Sequence, residues 1–216
     1  MCGRYVSREQ AAIEREYNIR VRNPFERVYN AAPSMQLPVI RAGEALAMRW
    51  GLIPAWWKQD VLPSATINAR SEEAAAKPMW RTAVRSTRCL VPALGWYEWH
   101  TGPAGKVPHF IHAAGMAGIS LAGLWSEWKD PQGDTQLSFA ILTRAASAPL
   151  APLHPRMPVV LARGAWEDWL SSWSANQAAR LAEHVAAAEG EFEYYPVSRY
   201  VNAPKNQGEQ CIERAG

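Results

Sequence analysis

The chain has 216 residues, 48% of them hydrophobic and 20% charged, with a formal net charge of +3. That is enough apolar material for one substantial core, so a single domain over residues 1–216 is expected and extended disorder is not. No apolar run reaches the roughly 20 residues of a membrane span, and no basic start with an apolar stretch marks a secretory signal, so the expected location is the cytoplasm.

Ser7-Arg8-Glu9-Gln10 has the form of a capping box, and the stretch after it to residue 17 reads as a first short helix. A turn-rich loop follows through Asn23-Pro24 and Tyr29-Asn30-Ala31-Ala32-Pro33. Residues 37–41 and 45–50 read as two strands joined through Gly43, and a loop carrying Trp56-Trp57 comes next. Residues 72–81 suit a helix interrupted near Pro78. Strand patterns then recur at 89–93, 95–100, 109–112, 120–128 and 137–143, with turns at Gly102-Pro103 and Asp130-Pro131. Residues 154–161 continue the strand pattern, and 164–171 and 174–188 read as helices, the second opening on a Ser-x-x-Gln box. Leu181, Val185 and Ala188 fall at helical spacing as core contacts, and 192–197 is a closing strand. The expected fold is α+β: a mostly antiparallel, barrel-like sheet flanked by a few helices.

Three cysteines, Cys2, Cys89 and Cys211, are odd in number and widely spaced, which argues against a disulfide framework and a zinc site. No metal or cofactor is expected. Of the 23 basic residues only five are lysines. Arginine's planar fork suits bidentate contact with phosphate, although a GC-rich genome produces the same bias. Between Glu73 and Glu98 there is no acidic residue, while Lys77, Arg81, Arg85 and Arg88 all fall there, an anion-attracting stretch. Most of the eleven tryptophans are expected in the core. Adjacent Trp56 and Trp57 cannot easily share one core-facing side, so one ring should be exposed, as a base-stacking surface requires.

Cys2 follows the initiator methionine, so loss of Met1 would leave an N-terminal 1,2-aminothiol. Its amine, with a reference pKa of about 8, and its thiol, near about 8.5, are both partly available as nucleophiles at neutral pH. An aldehyde is the natural target: the amine condenses to an imine and the thiol closes a thiazolidine. That chemistry needs a proton acceptor and a proton donor. Glu98, between Tyr97 and Trp99, is the leading carboxylate, and His154, in Leu153-His154-Pro155-Arg156-Met157-Pro158, the leading histidine. Asn68 and Arg70 lie two apart, on one side of an extended segment, where they suit a sugar oxygen and a phosphate. Each of these residues equally suits a structural role.

Taken in order, Met1-Cys2-Gly3-Arg4-Tyr5, Tyr29-Asn30-Ala31-Ala32-Pro33, Trp50-Gly51-Leu52-Ile53-Pro54-Ala55-Trp56-Trp57, Ile67-Asn68-Ala69-Arg70-Ser71-Glu72, Gly95-Trp96-Tyr97-Glu98-Trp99, His154-Pro155-Arg156-Met157-Pro158, Pro196-Val197-Ser198 and Lys205-Asn206-Gln207-Gly208 resemble the motifs of the SOS-response-associated peptidase (SRAP) family. The resemblance covers nearly the whole chain. It implies a monomeric sensor of abasic sites in single-stranded DNA, whose exposed N-terminal cysteine forms a thiazolidine crosslink with the ring-opened sugar and shields the lesion. By the same resemblance Cys2 is the nucleophile, Asn68 orients the sugar or the N-terminus, and Glu98 and His154 manage protons. Arg4, Arg70 and Arg156 match phosphate-binding positions, and Pro33 with Trp56 and Trp57 the part that contacts unstacked bases. The family's peptidase activity implies removal of its own Met1, and DNA binding implies association with the nucleoid. Two other readings fit subsets of these residues: a Cys-dependent peptidase acting on other proteins, and a non-covalent single-stranded DNA-binding module.

Overall fold

Several apolar runs alternate between two cores. Val39, Cys89, Val91, Leu121 and Ile141 belong to one buried cluster, while their neighbours Ile40, Leu90, Ala122 and Leu142 belong to another. Successive strand side chains point to opposite faces, and both faces are covered, so the sequence is apolar throughout rather than alternating. The computed structural model describes residues 2–21, 24–59, 61–102, 105–115, 117–185 and 191–215. Met1, Asn23, Pro103 and Ala188, each part of a sequence expectation, lie outside the described residues.

The strands are β1 (Tyr5–Ser7), β2 (Gln36–Arg41), β3 (Glu44–Trp50), β4 (Asn68–Arg70), β5 (Arg88–Gly102), β6 (Gly105–Ala113), β7 (Ile119–Lys129), β8 (Thr135–Ala145), β9 (Arg156–Pro158) and β10 (Phe192–Pro196). Strands β2, β3, β8, β7 and β5 pair in a closed ring. β3 and β4 both run parallel to β8, and the remaining strand pairs are antiparallel, so the barrel is mixed. One buried cluster fills its interior with Trp50, Trp96, Phe139 and Ile141. The second lies between the barrel and the helices.

β5 positions most of the site. The sequence suggests two strands, 89–93 and 95–100, but the chain runs through in one 15-residue element. Its first half pairs with β7 and its second with β6. The register opposite β1 slips between Val6 and Ser7, where β5 changes partner, and this bulge is the break in the sequence pattern. β2 and β3 form a tight hairpin through Ala42 and Gly43, both at positive φ, the conformation of a two-residue turn that matches strand twist.

The helices are α1 (Gln10–Tyr17), which ends at residue 17 as expected, and the shorter or more broken α2 (Ser71–Ala74), α3 (Arg81–Ser86), α4 (Trp166–Leu170), α5 (Ala175–Ala179) and α6 (Leu181–His184). The capping box at Ser7 does not form. Ser7 closes β1 and its hydroxyl accepts from the Val28 amide, so α1 starts at Gln10 without a side-chain cap. The box at Ser174 and Gln177 does form. Residues 154–161 hold only the three residues of β9 and a bridge from Val160 to Leu121, because Pro155 and Pro158 cannot donate to a ladder.

Candidate active site

Cys2 is not on the surface. It belongs to the barrel-interior cluster with Tyr5, Trp50 and Trp96, and its side chain is completely buried. This corrects the expectation of an exposed cysteine in the chain that carries Met1. β1 holds this end by pairing Tyr5 with Trp96 and bridging to Ala31. The Asn68 amide donates to the Cys2 carbonyl at 2.7 Å. Asn68 therefore grips the backbone of Cys2, and its own Oδ1 is buried with no hydrogen-bond partner among the described residues.

Glu98 lies on the second half of β5 and is 4% exposed. Gly95 permits this, since a Cβ there would meet the Ile111 carbonyl oxygen at 2.2 Å and the Phe110 ring at 2.7 Å. Without a side chain, β5 packs closely on β6 and carries Glu98 inward. Burial raises the Glu98 carboxyl to about 7. Burial also pushes the Cys2 thiol well up, and Glu98 adds to that shift, so the thiol is held protonated beside a carboxyl that titrates near neutrality.

His154 comes from the turn before β9. Its Nδ1 lies 3.0 Å from the Arg156 amide nitrogen and 3.0 Å from the Arg156 carbonyl oxygen. The amide donates to a neutral ring and the carbonyl accepts from a protonated one, so one backbone unit serves both states. Burial lowers the His154 pKa, against the opposing effect of that carbonyl. Gly3, Arg4, Glu98, Trp99, Lys106, His154 and Asn202 line an open pocket of about 510 Å³.

Arg4 is anchored as well as pocket-lining. Its guanidinium donates to Asn30 Oδ1 at 2.7 Å and to the carbonyls of Val201 and Asn202 at 3.1 and 3.3 Å, and it lies over the Trp99 ring. Asn30 in turn donates to the carbonyls of Val201, Ala203 and Asn206, and Gln207 accepts from the Asn30 amide. Two motifs with no role apparent in the sequence, around Asn30 and Asn206-Gln207, thus fasten the later chain to the N-terminal strand. Trp99, Lys106 and Asn202 are pocket residues that sequence reasoning missed. Only the aromatic run around Glu98 hinted at the first.

The remaining expected residues are not gathered at the pocket. Arg156 forms a bidentate pair with Glu72 at 2.6 and 2.9 Å and also reaches Thr143, so the guanidinium fork expected to meet phosphate is occupied. Arg70 is exposed and meets Glu73 at 3.5 Å. Pro33 is exposed, Trp56 is 51% exposed, and Trp57 is half-buried with its indole donating to the Val61 carbonyl.

The fold and site define a mixed β-barrel with a buried second-position cysteine, an amide on its backbone, and a carboxyl and an imidazole at the adjoining pocket. The chain belongs to the SOS response associated peptidase (SRAP) family, whose model matches residues 1–204. It is 32% identical to the abasic site processing protein YoqW of Bacillus subtilis and 31% identical to the abasic site processing protein YedK of Escherichia coli, each match covering 99% of both chains. A crystal structure of a protein from Bacteroides thetaiotaomicron superimposes with a TM-score of 0.86 over 100% of both chains at 23% identity, a likeness of fold.

Proposed function

We propose that the chain captures abasic sites in single-stranded DNA by forming a thiazolidine between Cys2 and the ring-opened sugar, once Met1 has been removed. Hydrolysis of the Met1–Cys2 peptide bond consumes one water and frees the α-amine. The amine then attacks the C1′ aldehyde to give a carbinolamine. Protonation of its hydroxyl releases one water and leaves an iminium ion. Cys2 Sγ adds to the iminium carbon, its proton passes to a base, and a C–S bond closes the ring. No redox change occurs and no cofactor is required.

The observation that carries this reading is the seat of Cys2: its carbonyl held by Asn68 at 2.7 Å and its thiol raised by burial and further by the carboxyl of Glu98. A thiol held protonated reacts second, after the amine, which is the order the ring closure needs. A carboxyl titrating near 7 can donate to the leaving hydroxyl and then accept the thiol proton. His154, with a backbone partner for either protonation state, suits opening of the sugar ring and reversal of the crosslink. The names of the two bacterial relatives point to the same lesion. Intact nucleotides have no free aldehyde and are expected to bind without reacting.

The test is a uracil-containing oligonucleotide treated with uracil glycosylase and mixed with the protein. An SDS-resistant shifted band is expected from wild type and none from Cys2→Ala. A full band from that variant sinks the assignment. Intact mass before and after reaction should show loss of Met1 and then addition of the strand less one water.

A further inference from the structure

The acid-free stretch between Glu73 and Glu98 holds four basic residues, and the fold treats them differently. Lys77 pairs with Glu73. Arg88 is buried and donates to the carbonyls of Trp169, Val84 and Ser171. Arg81 and Arg85 remain on α3, exposed, with no ion pair or side-chain hydrogen bond among the described residues. They stand four apart, one helical turn, where like charges repel. A face that keeps both without an acidic partner gains nothing in stability from them and suits a polyanion.

Their surroundings have the shape for one. Arg81, Thr82, Arg85 and Ser86 form one wall of a groove of about 320 Å³, and the small side chains Ala175 and Ala178 of α5 help to form the other. Thr82 also lines a second, apolar groove of about 230 Å³, shared with Pro78, Met79 and the exposed ring of Trp56. The two grooves therefore meet at Thr82. Among the described residues, Glu127 in the apolar groove is the one acidic side chain lining either of them. A stacking ring and apolar floor lead into a hydroxyl- and guanidinium-lined trough, the pairing that holds single strands without reading sequence.

We infer that the trough of Arg81, Thr82 and Arg85 extends the single-strand surface beyond Trp56, holding phosphates of strand flanking the lesion. This rests on the single-strand reading of the site above.

Fluorescence anisotropy with a labelled oligo(dT) of about 20 nucleotides, longer than the site itself, reads it directly across a salt series. Each single-strand phosphate contact contributes about 0.7 to the slope of log K against log salt, so Arg81→Ala with Arg85→Ala should reduce that slope by about 1.4. The control is Arg15→Ala with Arg20→Ala, an equal charge loss at exposed positions in and just after α1, which should leave the slope near wild type. An unchanged slope in the α3 variant overturns the proposal. Equal slope changes in both pairs also overturn it, because net charge alone would then explain them. If the α3 variant keeps oligo(dT) binding but loses poly-L-glutamate binding, the face recognises acidic peptide and the inference is wrong. With a short abasic strand at saturation, the α3 variant should still give the full SDS-resistant product. Absence of that product from wild type would instead sink the Cys2 reading and leave the slope result standing.

Discussion

Glu98→Gln tests the electrostatics of the site while nearly preserving shape. Burial takes the carboxyl from an ordinary 4.5 to about 7. A folded-state pKa above the unfolded value means that the native protein binds this proton more tightly. Between about pH 4.5 and about 7 the native state therefore carries more protons, and stability falls as pH rises through that window. At about 1.4 kcal/mol per pH unit, the gap amounts to about 3 kcal/mol, lost in full above about pH 7. Glutamine does not titrate, so urea unfolding of both proteins across about pH 4 to 8 should show the stability difference shifting by about 3 kcal/mol in favour of the variant at the alkaline end. Intact mass must first show the same Met1 state in both samples. Crosslinking by the variant should meanwhile slow by about a hundredfold or more, the ordinary share of a proton-transfer group. Stability curves for the two proteins that run parallel across this range would refute the argument that burial raises this carboxyl.

Three further outcomes follow from other contacts. Asn68→Ala removes the amide that fixes the Cys2 carbonyl, so crosslinking should slow by about 10- to 100-fold while binding of intact oligo(dT) is retained; gel-shift and SDS-gel time courses separate the two. Gly95→Ala drives a methyl into the Ile111 carbonyl and the Phe110 ring, and thermal unfolding should show a loss of about 2 kcal/mol or more. Trp56→Ala should weaken single-strand binding by about 1–3 kcal/mol for each base stacked on it and leave the melting temperature near wild type, because the ring is already half in solvent.

The strands were legible as short apolar and aromatic runs bounded by turn residues, the pattern of strands buried on both faces, and the β2–β3 hairpin announced itself through Gly43. The continuity of β5 was hidden, since its bulge and change of partner look locally like an ending. Helices were overestimated because propensity extends past points where tertiary contacts stop the chain. Caps were misread for a related reason: Ser7 satisfies the Val28 amide rather than a helix end. In the site, Cys2, Glu98 and His154 stood out by residue type and by motif. What no sequence pattern displayed was competition for side chains, such as Glu72 holding Arg156 or Asn30 and two carbonyls holding Arg4. Those are contacts between residues far apart in the chain, and they decide which cations are free.

Arg4 adds an order of events to the molecule. Its carbonyl partners, Val201 and Asn202, lie 197 and 198 residues further along, so during synthesis β1 must wait for these residues before Arg4 can be anchored to them. A nascent or truncated polypeptide carries the cysteine without this clamp. Under the proposed function, a chain cut short of Val201 would carry the cysteine in an unfinished trap.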